Sequence, residues 1–342
     1  MNLEDIAKKI NGTVIGDASL EITDVRSIET AEEGHITFVT GKNLLDKLRE
    51  SKASAVLVDS KQELNMNQVI NPKPMLAFAR LLDLFHPKTR PKPGIHPTVV
   101  LGEHVTLGKR VTLSPLVFIG NNVQIGDDVV VYPGVVIDNN CILGSHTVIH
   151  SNVTLYSGSV IGNHVILHAG VVVGADGFGY TMDEKERHVK INQIGNVVIE
   201  DNVEVGSNSC IDRAAMGTTL IKEGTKIDNL VQVAHNCTIG EHCILVAQVG
   251  IAGSCKLGHH VVLAGQAGLS DHVSVGDRVT LAAKSAALRD IESNSIYGGI
   301  PALPLSTWKR SVTILPKLPS LARKVRDLEN RLNDIEKKSG EE

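Results

Sequence analysis

The sequence predicts a mainly β fold: a left-handed parallel β-helix of hexapeptide repeats, with a small N-terminal α/β domain and a C-terminal helical extension. An aliphatic residue recurs at every sixth position over long stretches of 95–300. The slots around it are restricted in type. Aromatics make up only 3% of 342 residues, with one Trp and five Phe, against 31 Gly. A conventional core of this size uses more large rings, so stacked aliphatics must fill the interior.

The repeat runs from Ile95 through Leu101, Leu107 and Leu113 to Val173, resumes at Ile199, Val205 and Ile211, and continues from Ile221 to Leu281 after a four-residue insertion. All 28 positions are Ile, Leu or Val. Gly often comes next, as in Ile119-Gly120 and Ile239-Gly240. Three residues after the aliphatic commonly stands Asn, Asp, His or Gly, the types that tolerate a left-handed corner. The spacing of three and four that a helix needs is absent. Each hexad is therefore a short strand plus a turn, and three close a coil of 18 residues. At roughly 4.8 Å per coil, a little over nine coils make a prism about 45 Å long. Its flat faces favour sites shared between neighbouring subunits. Residues 174–198 break the pattern, either for a site or interface or as a tolerated surface loop.

The expected domains are 1–94, 95–300 and 301–342. In the first, Asn2 to Ile10 and Leu76 to Phe85 read as helices and Ala55 to Val58 as a buried strand. Pro87, Pro91, Pro93 and Pro97 mark the junction. In the last, Leu318, Leu321, Val325, Leu328, Leu332 and Ile335 alternate by three and four, a narrow stripe that wants partner helices, as in a homotrimer. Residues 309–338 carry nine Lys/Arg and four acids, a net +5. That is a solvated helix face or a dock for an acidic partner.

Net charge is −4, which favours neither nucleic acid nor a membrane surface. No apolar run is long enough to span a bilayer, and no leader pattern opens the chain, so the location expected is cytoplasmic. Cys141, Cys237, Cys243 and Cys255 share one small-residue slot and read as reduced core residues.

Among 14 histidines, His104, His146, His164, His242, His260 and His272 occupy the corner slot, where a structural role is the default. His235 lies one position earlier. An imidazole there can take a proton near neutral pH, or it is an incidental surface histidine. Gly253 lies 18 residues on, one coil above, where its backbone N–H could meet an oxyanion. His272, two coils up, suits another part of a substrate. His164 and His168 are weak candidates for a metal, so none is expected.

Several motifs carry a resemblance: Gly174-Ala-Asp-Gly-Phe-Gly-Tyr180, Ile211-Asp-Arg213, Ile227-Asp-Asn229, Gln232-Val-Ala-His-Asn236 and Gly250-Ile-Ala-Gly253. Together the chain resembles the UDP-3-O-acylglucosamine N-acyltransferases of lipid A biosynthesis in Gram-negative bacteria. The resemblance implies transfer of a 3-hydroxyacyl chain from acyl carrier protein to the 2-amine of a UDP-3-O-acyl-glucosamine. No cofactor is implied beyond the carrier's phosphopantetheine. It further implies His235 as general base and Gly253 as oxyanion donor. Asp228, Asn229 and His272 would contact substrate, with Arg289 beside the pantetheine arm and Phe38 stacking on uridine in the 1–94 domain. The basic C-terminal helix would dock the acidic carrier. Gly41-Lys42-Asn43-Leu44 departs from the family's Asn-Pro-Lys-Tyr, and Asp271 stands where Gly is usual. Ala282, Ala283, Ala286 and Ala287 would leave room for a long acyl chain. The alternative is a coenzyme A-dependent sugar acetyltransferase on the same prism. A non-catalytic scaffold would predict repeated Thr columns, which are absent.

Overall fold

Two-residue strands dominate the computed structural model, and the hexad explains their length. In each unit one aliphatic points inward, the residue before it points outward, and a corner follows. The structure describes residues 1–39, 45–87, 89–299 and 305–339, in two compact units, Met1–Pro91 and Lys92–Glu342. In the second unit the strands form three parallel faces of ten, nine and eleven strands. Neighbours on a face are one coil apart, as in Phe118 opposite Val136 and Ile119 opposite Ile137. This is the left-handed parallel β-helix that the hexad predicts.

The inward residues form one continuous cluster from Val111 to Ile291. Burying each Ile, Leu or Val stabilises the prism by about 1.5–3 kcal/mol before entropy is counted. The prism starts as predicted, with Gly94–Ile95 paired to Thr112–Leu113, but ends later than the aliphatic count suggested. Ala286–Ala287 and Ile296–Tyr297 add strands beyond Leu281. There Ala287 holds the inward slot, and a shortened turn brings Ile291 against Val275.

The non-glycine corner residues adopt the left-handed conformation, from His242 at φ 53° to Ser254 at φ 63°. The predicted corner histidines His104, His146, His164, His242, His260 and His272 are all among them. His146 stacks on His164 with centroids 4.7 Å apart, while His168 bonds Glu204 at 2.9 Å, so His164 and His168 do not form a pair.

The Gly after the inward aliphatic has a specific cause. The side chain one coil above folds down and accepts a hydrogen bond from the N–H that follows this Gly. Asn121 accepts from Glu103, Asp127 from Lys109, Asp201 from Asn163 and Asp277 from His259, at 2.6–2.7 Å. Outside the excursion all ten glycines of this slot (102, 108, 120, 126, 144, 162, 206, 240, 258 and 276) precede an N–H bonded in this way. A Cβ at Gly108 or Gly162 would stand 2.5 Å from the capping carboxylate oxygen. The Gly makes room for the cap, and the cap satisfies an otherwise orphaned corner N–H.

Residues 174–198 leave the prism and return to it, and Tyr180–Met182 and His188–Lys190 form a small antiparallel ribbon within them. Cys141, Cys237, Cys243 and Cys255 are buried free thiols. Cys255 one coil above, together with burial, pushes the Cys237 thiol far up.

In the first unit a five-stranded sheet holds Ala55–Val58 at its centre, with all four residues buried. Helix Leu3–Ile10 is capped by the Asn2 side chain and, with helix Pro74–Phe85, covers one sheet face. At the other end of the chain, helices Leu305–Ile314 and Leu318–Ser339 lie on either side of a short 3-10 turn. Leu318, Leu321, Val325, Leu328 and Leu332 are all exposed. Ile335 lies outside the described side chains. No described helix is long and apolar enough to cross a membrane.

The capping rule makes a stability prediction. Gly258→Ala should cost about 1–3 kcal/mol, because it expels the Asp277 cap. Gly250→Ala meets nothing within 4 Å and should stay within about 0.5 kcal/mol of wild type. Urea denaturation of the two variants checks the contrast.

Candidate active site

His235 follows strand Gln232–Val233, at the corner where the ten-stranded face turns towards the nine-stranded one. The same edge carries Gly253, His272 and Arg289 on the next three coils, because Gln232, Gly250, Gly268 and Ala286 are in register. The backbone confirms the stack: Ser254 N–H bonds His235 O at 2.9 Å and His272 N–H bonds Gly253 O at 3.0 Å. At roughly 4.8 Å per coil, His272 stands about 10 Å and Arg289 about 14 Å from His235 along the axis.

Gly253 lies directly over the imidazole. A Cβ there would meet His235 Cε1 and Nε2 at 2.7 Å, so only glycine fits. Its N–H makes no hydrogen bond among the described residues, in contrast to the ten capped counterparts. The ring and the Gly253 backbone, with its uncapped N–H, thus lie against each other.

The neighbouring Asn236 decides which nitrogen is free. Its Nδ2 donates to Met216 O at 2.9 Å and its Oδ1 accepts from Ala215 N–H at 3.0 Å, which fixes the amide. That same Oδ1 lies 3.1 Å from His235 Nδ1. An acceptor opposite Nδ1 requires Nδ1 to carry the proton, which leaves the Nε2 lone pair towards Gly253.

The 174–198 excursion closes the other side of the ring. Gly177 comes so near that a Cβ would stand 2.7 Å from His235 Cβ and 2.9 Å from both Cδ2 and Gln193 Oε1. Arg213 holds the base of this arch through Gly174 O at 2.6 Å and Ser157 O at 3.0 Å, and Lys190 pairs with Asp176. Gln193 is buried, with Nε2 on Ile191 O and Oε1 unpaired. Beside the ring, burial raises the Asp212 carboxyl, while the Gln232 amide and His235 hold it down. Asn236, Gly177, Gln193 and Asp212 were not singled out from sequence as site residues. Their motifs were visible, but the contacts depend on how far the excursion and the insertion offset the register.

Asp228 and Asn229 lie elsewhere. They occupy the opposite end of the coil side that carries Gln232–Val233, after strand Lys226–Ile227 of the eleven-stranded face. Asp228 caps Asn229 N–H and Ala247 N–H, and Asn229 caps Ser207 N–H. Both line a surface cavity of about 510 Å³ with His168 and Lys226. Within one chain they do not join His235. Arg289 lines a second cavity of about 620 Å³ with Ala286, Ala287, Leu288 and Tyr297. In the first unit, one face of Phe38 is covered by Phe78, with centroids 3.7 Å apart. Gly41, Lys42, Asn43 and Leu44 lie outside the described residues.

A histidine with an open Nε2, an uncapped backbone N–H beside it and a hexapeptide prism fit one class, the hexapeptide-repeat acyltransferases. Residues 116–151, 143–175 and 218–253 match the bacterial transferase hexapeptide family, and 19–84 match UDP-3-O-(3-hydroxymyristoyl) glucosamine N-acyltransferase. The UDP-3-O-acylglucosamine N-acyltransferase of Syntrophotalea carbinolica is 56% identical over 98% of both chains. That of Desulfotalea psychrophila is 46% identical over 96% of both. An Arabidopsis UDP-N-acetylglucosamine acyltransferase structure shares the fold, with TM-score 0.54 and 21% identity over 67% of this chain and 80% of its own. The chain belongs to the UDP-3-O-acylglucosamine N-acyltransferase family.

The tautomer argument is testable. Asn236→Ala should lower kcat about 10-fold or more, since the ring loses its orienting acceptor. Asn236→Asp keeps the acceptor but adds a charge that favours imidazolium. The acid limb of its kcat/KM profile should therefore move to higher pH, as a pH–rate series would show.

Proposed function

We propose that this enzyme moves a 3-hydroxyacyl chain from acyl carrier protein to the 2-amine of a UDP-3-O-acyl-glucosamine. The observation that carries the reading is Gly253, whose N–H is unbonded among the described residues and whose backbone lies so close over His235 that a Cβ would meet Cε1 and Nε2 at 2.7 Å. His235 Nε2 takes a proton as the amine attacks the thioester carbon, and the carbonyl oxygen, now negative, is held by Gly253 N–H. Collapse forms the amide and expels the pantetheine thiolate, to which the imidazolium returns the proton. No cofactor of the enzyme's own enters this scheme.

The working unit is a homotrimer. The exposed Leu318–Leu332 stripe favours helix partners. Asp228 and Asn229, at the far end of the same coil side, would meet a neighbour's His235 across a threefold seam. The basic helix suits the acidic carrier, with Arg289 beside the pantetheine and His272 on the substrate. Phe38 would take the uridine. The cytoplasm is the compartment we assign, where the five free thiols stay reduced. The coenzyme A-dependent acetyltransferase reading is not favoured, because the named relatives match the chain almost end to end, N-terminal unit included.

Product mass spectrometry with hydroxyacyl carrier protein and the UDP-amino-sugar tests the reading. Equal turnover with a coenzyme A thioester would contradict the carrier assignment. His235→Ala should lose at least about 100-fold in kcat while sedimenting as wild type. Near-normal turnover would remove the base. Ala286→Met should shorten the preferred acyl chain by filling the cavity beside Ala287. An unchanged preference across a chain-length series would refute that route.

A further inference from the structure

The N–H of Gly253 is uncapped, as are those of Ser151, Ala169 and Gly265, which likewise do not follow a Gly. The residue one coil above Gly253 is Asp271, a type that caps at this slot: Asp127, Asp201 and Asp277 each accept from the N–H 18 or 38 residues earlier at 2.6–2.7 Å. Asp271 does not cap Gly253, and its Oδ1 instead accepts from Ser270 Oγ at 3.1 Å. The difference lies in the residue before the N–H. For the three capping carboxylates that residue is Gly108, Gly162 or Gly258, and at Gly108 and Gly162 a Cβ would stand 2.5 Å from the carboxylate oxygen. Before Gly253 it is Ala252, whose methyl fills that place.

We propose that Ala252 is a positioning residue that keeps the Gly253 N–H open to substrate by excluding the Asp271 carboxylate from it. The inference rests on the oxyanion role proposed for Gly253. Ala252 cannot shift aside easily. Its N–H bonds Leu269 O at 3.1 Å, and its carbonyl receives the Cys237 thiol at 3.1 Å. With Gly at 252 the corner would have the geometry of its capped neighbours. Asp271 would then fold onto the Gly253 N–H and put a negative charge where the thioester oxygen must sit. The small Ala thus separates a structural corner from a catalytic one.

The test is Ala252→Gly, assayed as the full-length enzyme with hydroxyacyl carrier protein and the UDP-amino-sugar. Loss of one oxyanion donor lowers kcat about 100-fold or more, and KM for the UDP-sugar should change little. Ala252→Gly/Asp271→Ala should recover to the level of Asp271→Ala alone, a rescue that a merely structural defect would not show. A crystal structure of Ala252→Gly should place Asp271 Oδ1 on Gly253 N. If the carboxylate stays on Ser270, or the double variant remains as slow as Ala252→Gly, the inference fails and the oxyanion assignment stands. If the carboxylate docks and turnover is normal, Gly253 N–H is not the oxyanion donor and both fall together.

Discussion

Every position in the coils of the prism is set by the hydrogen-bond ladder between successive coils. A parallel ladder fixes each residue against the one a full coil away, so placement follows from counting. Gly253 lies over His235 because Gln232 pairs with Gly250 and Val233 with Ile251. The inward aliphatics hold that register. A slip of one residue would turn the inward row of a face outward and cost its burial.

The same ladder leaves a polar problem at each corner, and the solution shapes the site. Corner N–H groups that follow a Gly are met by a side chain from above, which that Gly admits. At the His235 edge this device is withheld: Ala234 and Ala252 stand where Gly would be, and Gly253 has no side chain to offer His235. A donor that structure leaves unused is what an oxyanion site requires. The corner thus gives up one hydrogen bond at Gly253, an amount of about 0.5–1.5 kcal/mol that binding a charged oxygen can offset.

Most of the prism was legible because each unit is a local, repeated decision. Ile, Leu or Val at every sixth residue gives the interior, Asn, Asp and His give the corners, and multiples of 18 align His235, Gly253 and His272. The excursion was visible only as a break. Its return over His235 through Gly177 joins residues 58 apart by a path no period describes. Asp212 is hidden for a related reason, since the four-residue insertion stretches that coil to 22 residues. The last strands escaped because Ala287 is too small to register as an aliphatic. In the first unit, Phe38 was singled out through the family resemblance alone, and its partner Phe78 was not, because that contact depends on where helix Pro74–Phe85 lies.

The central claim is that one unbonded backbone N–H, over one oriented imidazole, is where the thioester carbonyl goes. A crystal structure with a non-hydrolysable acyl-pantetheine analogue and the UDP-amino-sugar measures this directly. The account requires the analogue's carbonyl oxygen within about 3.1 Å of Gly253 N, with the sugar amine facing His235 Nε2. A carbonyl bound elsewhere, with the His235 ring turned away from Gly253, would contradict it.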